Sequence, residues 1–198
     1  MIGPSRPLFV LFGSSIVQFS YLLHGWGATL TGLYARKADI SLRGYAGWNS
    51  RMAIQILDKV FPKSLSETTR LIMLSAPAVN EEQIVQFYGS NLGRTNERGR
   101  IYSEAGIKLG QELGVKVIDF WSALQERPDW LTTVFWDGMH LTKEGSDIVV
   151  RKILKALREA EWKPSLHWKK MSDEFSDIII TLNGADGIIL DDWQKEYE

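Results

Sequence analysis

The stretch RPLFVLFGSSIVQFS, residues 6–20, sets two apolar segments back to back with only Gly13-Ser14-Ser15 between them. Residues 7–12 form a short, unbroken apolar run, the pattern of a strand buried on both faces, as in a parallel sheet. A helix expected from about Ile16 to Ala35 follows at once, with Trp26, Leu30, Leu33 and Tyr34 at helical spacing. Ser15 therefore stands where a buried strand turns into a helix. A serine there presents its hydroxyl at the sheet edge. Its N–H is one of the unpaired donors of a helix start, able to receive an oxyanion. The bland reading is a serine that only caps the helix. Taken alone, this stretch favours the cap.

Working outward, strand and helix candidates alternate. ADISLRG (38–44) reads as the second strand and SRMAIQILDKVF (50–61) as an amphipathic helix stopped by Pro62. RLIMLSAP (70–77) reads as the third strand. Residues 91–113 read as a helix with Ile101, Ala105, Leu109 and Leu113 on one face, ended by Gly114. VKVIDF (115–120) is the fourth strand. Residues 141–162 make the clearest helix, with Thr142 as N-cap and Val149, Val150, Ile153, Leu154 and Leu157 on its apolar side. A hairpin is expected around Asn183-Gly184, pairing 178–181 with 188–190. The alternation predicts an α/β fold, a three-layer α/β/α sandwich with a mostly parallel sheet. Ligands of such sheets sit beyond the carboxyl ends of the strands.

Composition narrows the function. The chain of 198 residues suits one domain, and its net charge of −1 argues for neither nucleic acid nor a membrane surface. No apolar run reaches the roughly 18 residues of a membrane span. Arg6 and the run 8–12 make a poor leader because Gly13-Ser14-Ser15 cuts the run short, so a cytosolic protein is expected. There are no cysteines, which excludes disulfides, thiolate metal sites and a cysteine nucleophile. Residues 171–198 hold eight acidic groups and one basic, and read as an acidic extension (169–198) lying on a mildly basic body (1–168).

His140 changes the weight of Ser15. It lies in FWDGMHLTKEG, three residues after Asp137 and just before the last helix. A serine nucleophile needs a base, and an imidazole base needs a partner to hold its tautomer. Asp-x-x-His on one turn supplies both, although two polar residues decorating a loop would read the same. Gly44 and Gly47 follow the second strand and could bring a backbone N–H to a ligand, or simply turn the chain. Asn49 and Arg51 could be helix-start residues and no more. Trp121, Trp130, Trp136, Phe120 and Phe135 could line a pocket or fill a core. His24, within the first helix, and His167 read as packing or surface residues. No His/Asp/Glu set has metal spacing, and GYAG lacks the lysine of a phosphate loop.

Together these segments resemble the GDSL or SGNH family of serine ester hydrolases. VLFGSSIVQFS resembles its first block, LRGYAGWNSR its second and DGMHLTKEG its last, in order over about residues 6–168. The branch resembled is that of plant esterases related to isoamyl acetate hydrolases, in which Gly-Ser-Ser replaces Gly-Asp-Ser. The resemblance implies Ser15 as nucleophile, Asp137 and His140 as its partners, and the N–H groups of Ser15 and Gly47 as oxyanion donors. It implies a small-molecule acyl ester as substrate and no cofactor or metal; it leaves the oligomeric state open. The family's third block, Gly-x-Asn-Asp on a central strand, has no counterpart. A strand–loop–helix is missing between Phe61 and Ser66, as a skipped exon or a mis-joined gene model would leave it. If strand 70–75 slid into the vacated slot, the sheet would have four strands and Asn80 could replace the lost asparagine donor. Two other readings remain: an impaired product acting as a binding protein or with no independent role, and a nucleotide-binding α/β domain, disfavoured by too few glycines after the first strand.

Overall fold

The computed structural model describes residues 6–22, 24–61, 69–176 and 193–197. The hairpin expected at 178–190 lies outside the described residues. Strand β1 (Leu8–Gly13) runs parallel to β2 (Asp39–Gly44), with Leu8 opposite Asp39 and Gly13 opposite Gly44. The helix expected over 16–35 is interrupted. It forms as α1 (Ser15–Gln18), a 3-10 turn (Phe19–Tyr21) and α2 (Trp26–Leu33). His24 sits between them in the left-handed region, φ 59°, rather than inside a helix. The helix expected over 50–61 likewise breaks into α3 (Ser50–Ile54) and α4 (Leu57–Val60). Asn49 caps α3, its Oδ1 accepting from the Arg51 and Met52 N–H groups, as its helix-start reading required.

The second half begins with β3 (Ile72–Leu74) and α5 (Glu81–Tyr88), a helix the apolar pattern does not announce. Helix α6 (Asn96–Glu112), strand β4 (Lys116–Ile118), the short α7 (Phe120–Leu124) and α8 (Trp130–Thr133), and α9 (Lys143–Glu159) complete the order. Thr142 caps α9 through Oγ1, and all five apolar residues expected on its inner face are buried. They meet Trp26, Leu30 and Leu33 of α2 and the fully buried Tyr34 and Phe135 in one core.

Two expectations fail. The row Ile101, Leu109 and Leu113 faces water, at 51%, 50% and 67% exposure, while α6 turns Ser103 and Gly110 inward. Ser103 Oγ donates to Ser75 Oγ (2.6 Å), which also accepts the Phe120 N–H (2.9 Å), so a small polar contact decides which side of α6 is buried. The sheet is not four strands wide either. Among the described residues β1 pairs only with β2, and β3 pairs only with β4, also in parallel. Strand β3 has not slid toward β1. It is tied instead to β4, α6 and α7 by the Ser75 N–H to Ile118 O bond (3.0 Å) and by the Ser75 hydroxyl bonds to Ser103 and Phe120.

The acidic residues nearest the body are paired with the foot of the first sheet. Asp173 meets Lys37 at 2.5 Å, Glu174 meets Arg6 at 3.4 Å, and Arg6 also pairs with Asp39. No helix among the described residues is long and apolar enough to cross a membrane.

Gly44 has a job that neither sequence reading assigned to it. A Cβ there would stand 2.0 Å from the Gln18 backbone nitrogen and 2.6 Å from the Val17 carbonyl carbon, so the end of β2 touches the backbone of α1. Gly44→Ala is expected to destabilise the protein by about 2–4 kcal/mol, because backbone rather than a flexible side chain must yield. Urea denaturation of the two proteins measures the difference, and equal midpoints would refute this contact.

Candidate active site

The site is built around Asp137, whose side chain has no exposure to water. A carboxylate buried in this way must be met by donors where it stands. Oδ1 accepts the N–H groups of Met139 (2.9 Å) and His140 (2.7 Å), closing the turn that an aspartate two and three residues upstream favours. Oδ2 meets His140 Nδ1 at 2.5 Å and accepts the Tyr88 hydroxyl at 2.6 Å. Burial by itself raises the Asp137 pKa. The bonds from His140, Tyr88 and the two backbone N–H groups outweigh it and hold the carboxyl at about 2. The charged form persists throughout the neutral range and can accept from Nδ1–H, which in the neutral ring leaves Nε2 as the free acceptor.

The imidazole lies between two aromatic rings. Trp136 stacks on it at 5.4 Å and 21°, and Phe19 meets it edge-on at 5.1 Å. Phe19 connects this turn with the first strand. Ser15 opens α1 and Phe19 ends it four residues later, so both project from one side of that turn. Ile16 and His140 line the same cavity. Among the described residues the Ser15 hydroxyl neither caps the helix nor bonds His140, and Ser14, at the N-cap position, makes no side-chain cap either. The cap reading of Gly-Ser-Ser therefore finds no hydrogen bond to support it. Resting sites often hold such pairs loosely until substrate arrives.

The loop after β2 reaches the same end of the sheet, since the Tyr45 N–H donates to Gly13 O (2.9 Å) and the Ala46 N–H to Gln18 Oε1 (2.7 Å). Gly47 follows with φ 79°. Asn80 is held by three hydrogen bonds at the start of α5. Its Oδ1 caps α5, its Nδ2 donates to Leu131 O (2.8 Å), and its N–H donates to Gly138 O (2.9 Å). Gln83 Nε2 adds a bond to Phe135 O (3.1 Å). Asn80 thus clamps α5 to the Asp137 loop. Of the aromatic cluster, Phe120 and Phe135 are core and Trp136 lines the cavity. His167 is buried away from the site, its pKa lowered by burial and by nearby Arg158 and lysines. No group of three or more His, Asp or Glu among the described residues could hold a metal ion.

Known proteins resemble this chain in sequence and in fold. The GDSL esterase/lipase WDL1 of Oryza sativa subsp. japonica is 44% identical over 245 aligned positions, covering 96% of this chain and 94% of its own length. The chain belongs to the GDSL esterase/lipase family. The isoamyl acetate-hydrolyzing esterase 1 homolog of Bos taurus is a more distant relative, 27% identical over 72% of this chain and 78% of its own. Among solved structures, a lipase/acylhydrolase from Enterococcus faecalis superposes with TM-score 0.62 at 13% identity, over 85% of this chain and 98% of that one. A G-D-S-L lipolytic protein from Veillonella parvula superposes with TM-score 0.61 at 14% identity, over 78% of this chain and all of that one. These bear out the family resemblance and the α/β fold. No family model matches the chain.

Tyr88 is the site residue that sequence reading missed. It lies 49 residues before Asp137, and the one signal for it is helical spacing: Ile84, fully buried, shares its face of α5. The bond to Asp137 raises the Tyr88 pKa to about 12, so the hydroxyl stays a donor at neutral pH. A depressed carboxyl pKa adds stability above its unfolded value of about 4 and loses it as pH falls toward 2. In Tyr88→Phe the Asp137 midpoint should rise, so the carboxyl contributes less stability and its loss is complete at a higher pH. An NMR titration of the Asp137 carboxyl carbon reads the shift directly, and an unchanged midpoint would remove Tyr88 from the site.

Proposed function

We propose that this chain hydrolyses carboxylic esters through Ser15, His140 and Asp137. Ser15 Oγ attacks the ester carbonyl carbon while His140 Nε2 takes its proton. Asp137, accepting from Nδ1, holds the ring in that tautomer and balances the imidazolium as it forms. The oxyanion is received by the N–H groups of Ser15 and Gly47. The C–O bond to the alcohol then breaks, and Nε2 returns the proton to the departing oxygen. Water, deprotonated by His140, releases the acyl group and restores Ser15. The observation that carries this reading is the pairing of Asp137 Oδ2 with His140 Nδ1 at 2.5 Å, on a ring whose other side meets Phe19 in the turn that Ser15 opens.

The candidate for the family's third oxyanion donor, Asn80, already gives one amide N–H to Leu131 O and accepts the Gln83 N–H at Oδ1. A missing donor costs on the order of 10²–10³ in turnover. The second reading, a catalytically impaired product with a binding role or none, draws on two observations. The two strand pairs share no hydrogen bonds among the described residues. The alignment with the rice protein also runs over 245 positions, more than the 198 residues available here, so it opens gaps in this chain, in keeping with a lost strand–loop–helix near residues 61–66.

Hydrolysis of p-nitrophenyl acetate by the wild type and by Ser15→Ala separates the two. The hydrolase reading expects the variant to fall to the uncatalysed rate and to lose labelling by a fluorophosphonate probe. Equal rates and no labelling of the folded wild type would establish the impaired reading instead.

A further inference from the structure

Beside His140 lies a cavity of about 210 Å³. Ile16, Phe19 and Leu22 close it on the side of the first helical segment, and Trp26, Trp136 and Leu141 on the others. Two serines complete the wall. Ser146 opens from the first turn of α9. Among the described residues the buried Ser20 hydroxyl has no hydrogen-bond partner, and it lies against Gly27, where an added Cβ would come within 2.3 Å of its oxygen. Trp26 is fixed in place by its Nε1–H to Ile16 O bond (3.1 Å), and Trp136 by its stacking on His140 and by its backbone N–H to His140 O bond (3.0 Å). This is a formed, largely apolar pocket, with the imidazole as the only ionisable side chain among the described residues that line it.

Which part of an ester belongs there follows from proton transfer. His140 must face both the serine oxygen that gives up a proton and the alcohol oxygen that receives it. The departing group therefore lies on the imidazole side of the carbonyl carbon, and the acyl chain points away from it. A cavity whose wall includes the imidazole itself takes the alcohol. Its size sets the scale, because an apolar cavity of about 150 Å³ admits a benzene ring. Three of the six apolar walls are aromatic, which suits a flat group meeting them edge or face.

Resting on the hydrolase reading, we infer that this cavity is the leaving-group pocket and selects esters of apolar alcohols about the size of a benzyl group. Selection acts on the alcohol and much less on the acyl side.

Two ester series test it. With acetate held constant and the alcohol enlarged from ethyl to butyl to benzyl, kcat/KM should rise by up to about fourfold per carbon buried. With ethanol held constant, enlarging the acyl group from acetyl to hexanoyl should change kcat/KM less. Leu22, 59% exposed at the rim, tolerates enlargement without disturbing the core. Leu22→Trp, which narrows the cavity, should flatten the alcohol series. Benzyl alcohol itself, titrated into Ser15→Ala protein, should shift the NMR signals of His140 and Trp136, and Leu22→Trp added to Ser15→Ala should weaken that binding. Turnover with a flat alcohol series, or an acyl series that climbs as steeply, overturns the pocket assignment. Benzyl alcohol bound beside His140 with no ester turnover keeps the cavity's ligand and overturns the hydrolase reading.

Discussion

A carboxylate with no access to water has to have its charge answered by donors that hold still. At Asp137 four donors do this, two from the backbone of its own turn, one from the His140 ring and one from the Tyr88 phenol. Each fixes something different. The backbone pair shapes the loop, the ring bond orients the imidazole, and the phenol secures the far end of α5. Removing any of them would leave a buried charge less well met, which is among the costlier defects a protein interior can carry. The loop, the histidine and α5 are therefore one mechanical unit, with Asn80 and Gln83 clamping the near end of that helix to the same loop.

That unit is anchored on the better-packed part of the molecule. The face of α9 buries its apolar residues against α2, and the core there includes Trp26, Leu30, Tyr34 and Phe135. The sheet is the weaker part. Each pair of strands satisfies one edge, and no ladder joins β1 to β3 among the described residues. The apolar row of α6 is uncovered among the described residues. Both features set this half of the molecule apart from the packed core around α9. The hydrogen bonds at Asp137 and His140 all lie within α5 and the loop before α9 and involve neither strand pair.

Much of this could be read without coordinates. The turn from β1 into α1, the Asp-x-x-His spacing, the inner face of α9 and the caps at Asn49 and Thr142 each depend on residues within a turn or two of one another. Local spacing and local hydrogen bonds determine such features, and they formed as expected. The helix expected over 91–113 formed within those limits, yet its exposed side was misjudged. Apolar spacing identifies a face without saying whether anything covers it, and here the contact of Ser103 with Ser75 turned the small residues inward instead.

By itself the sequence determined the four strands, the long helix α9, the serine at the strand-to-helix turn and the aspartate that holds a histidine three residues on, because each is a matter of near neighbours. Only the tertiary structure decided that Tyr88 shares that aspartate, that Gly44 lets β2 touch α1, that Asn80 is a clamp, and that the strands stand as two pairs. Those outcomes turn on which distant segments come within hydrogen-bonding or van der Waals range. No periodicity along the chain records that.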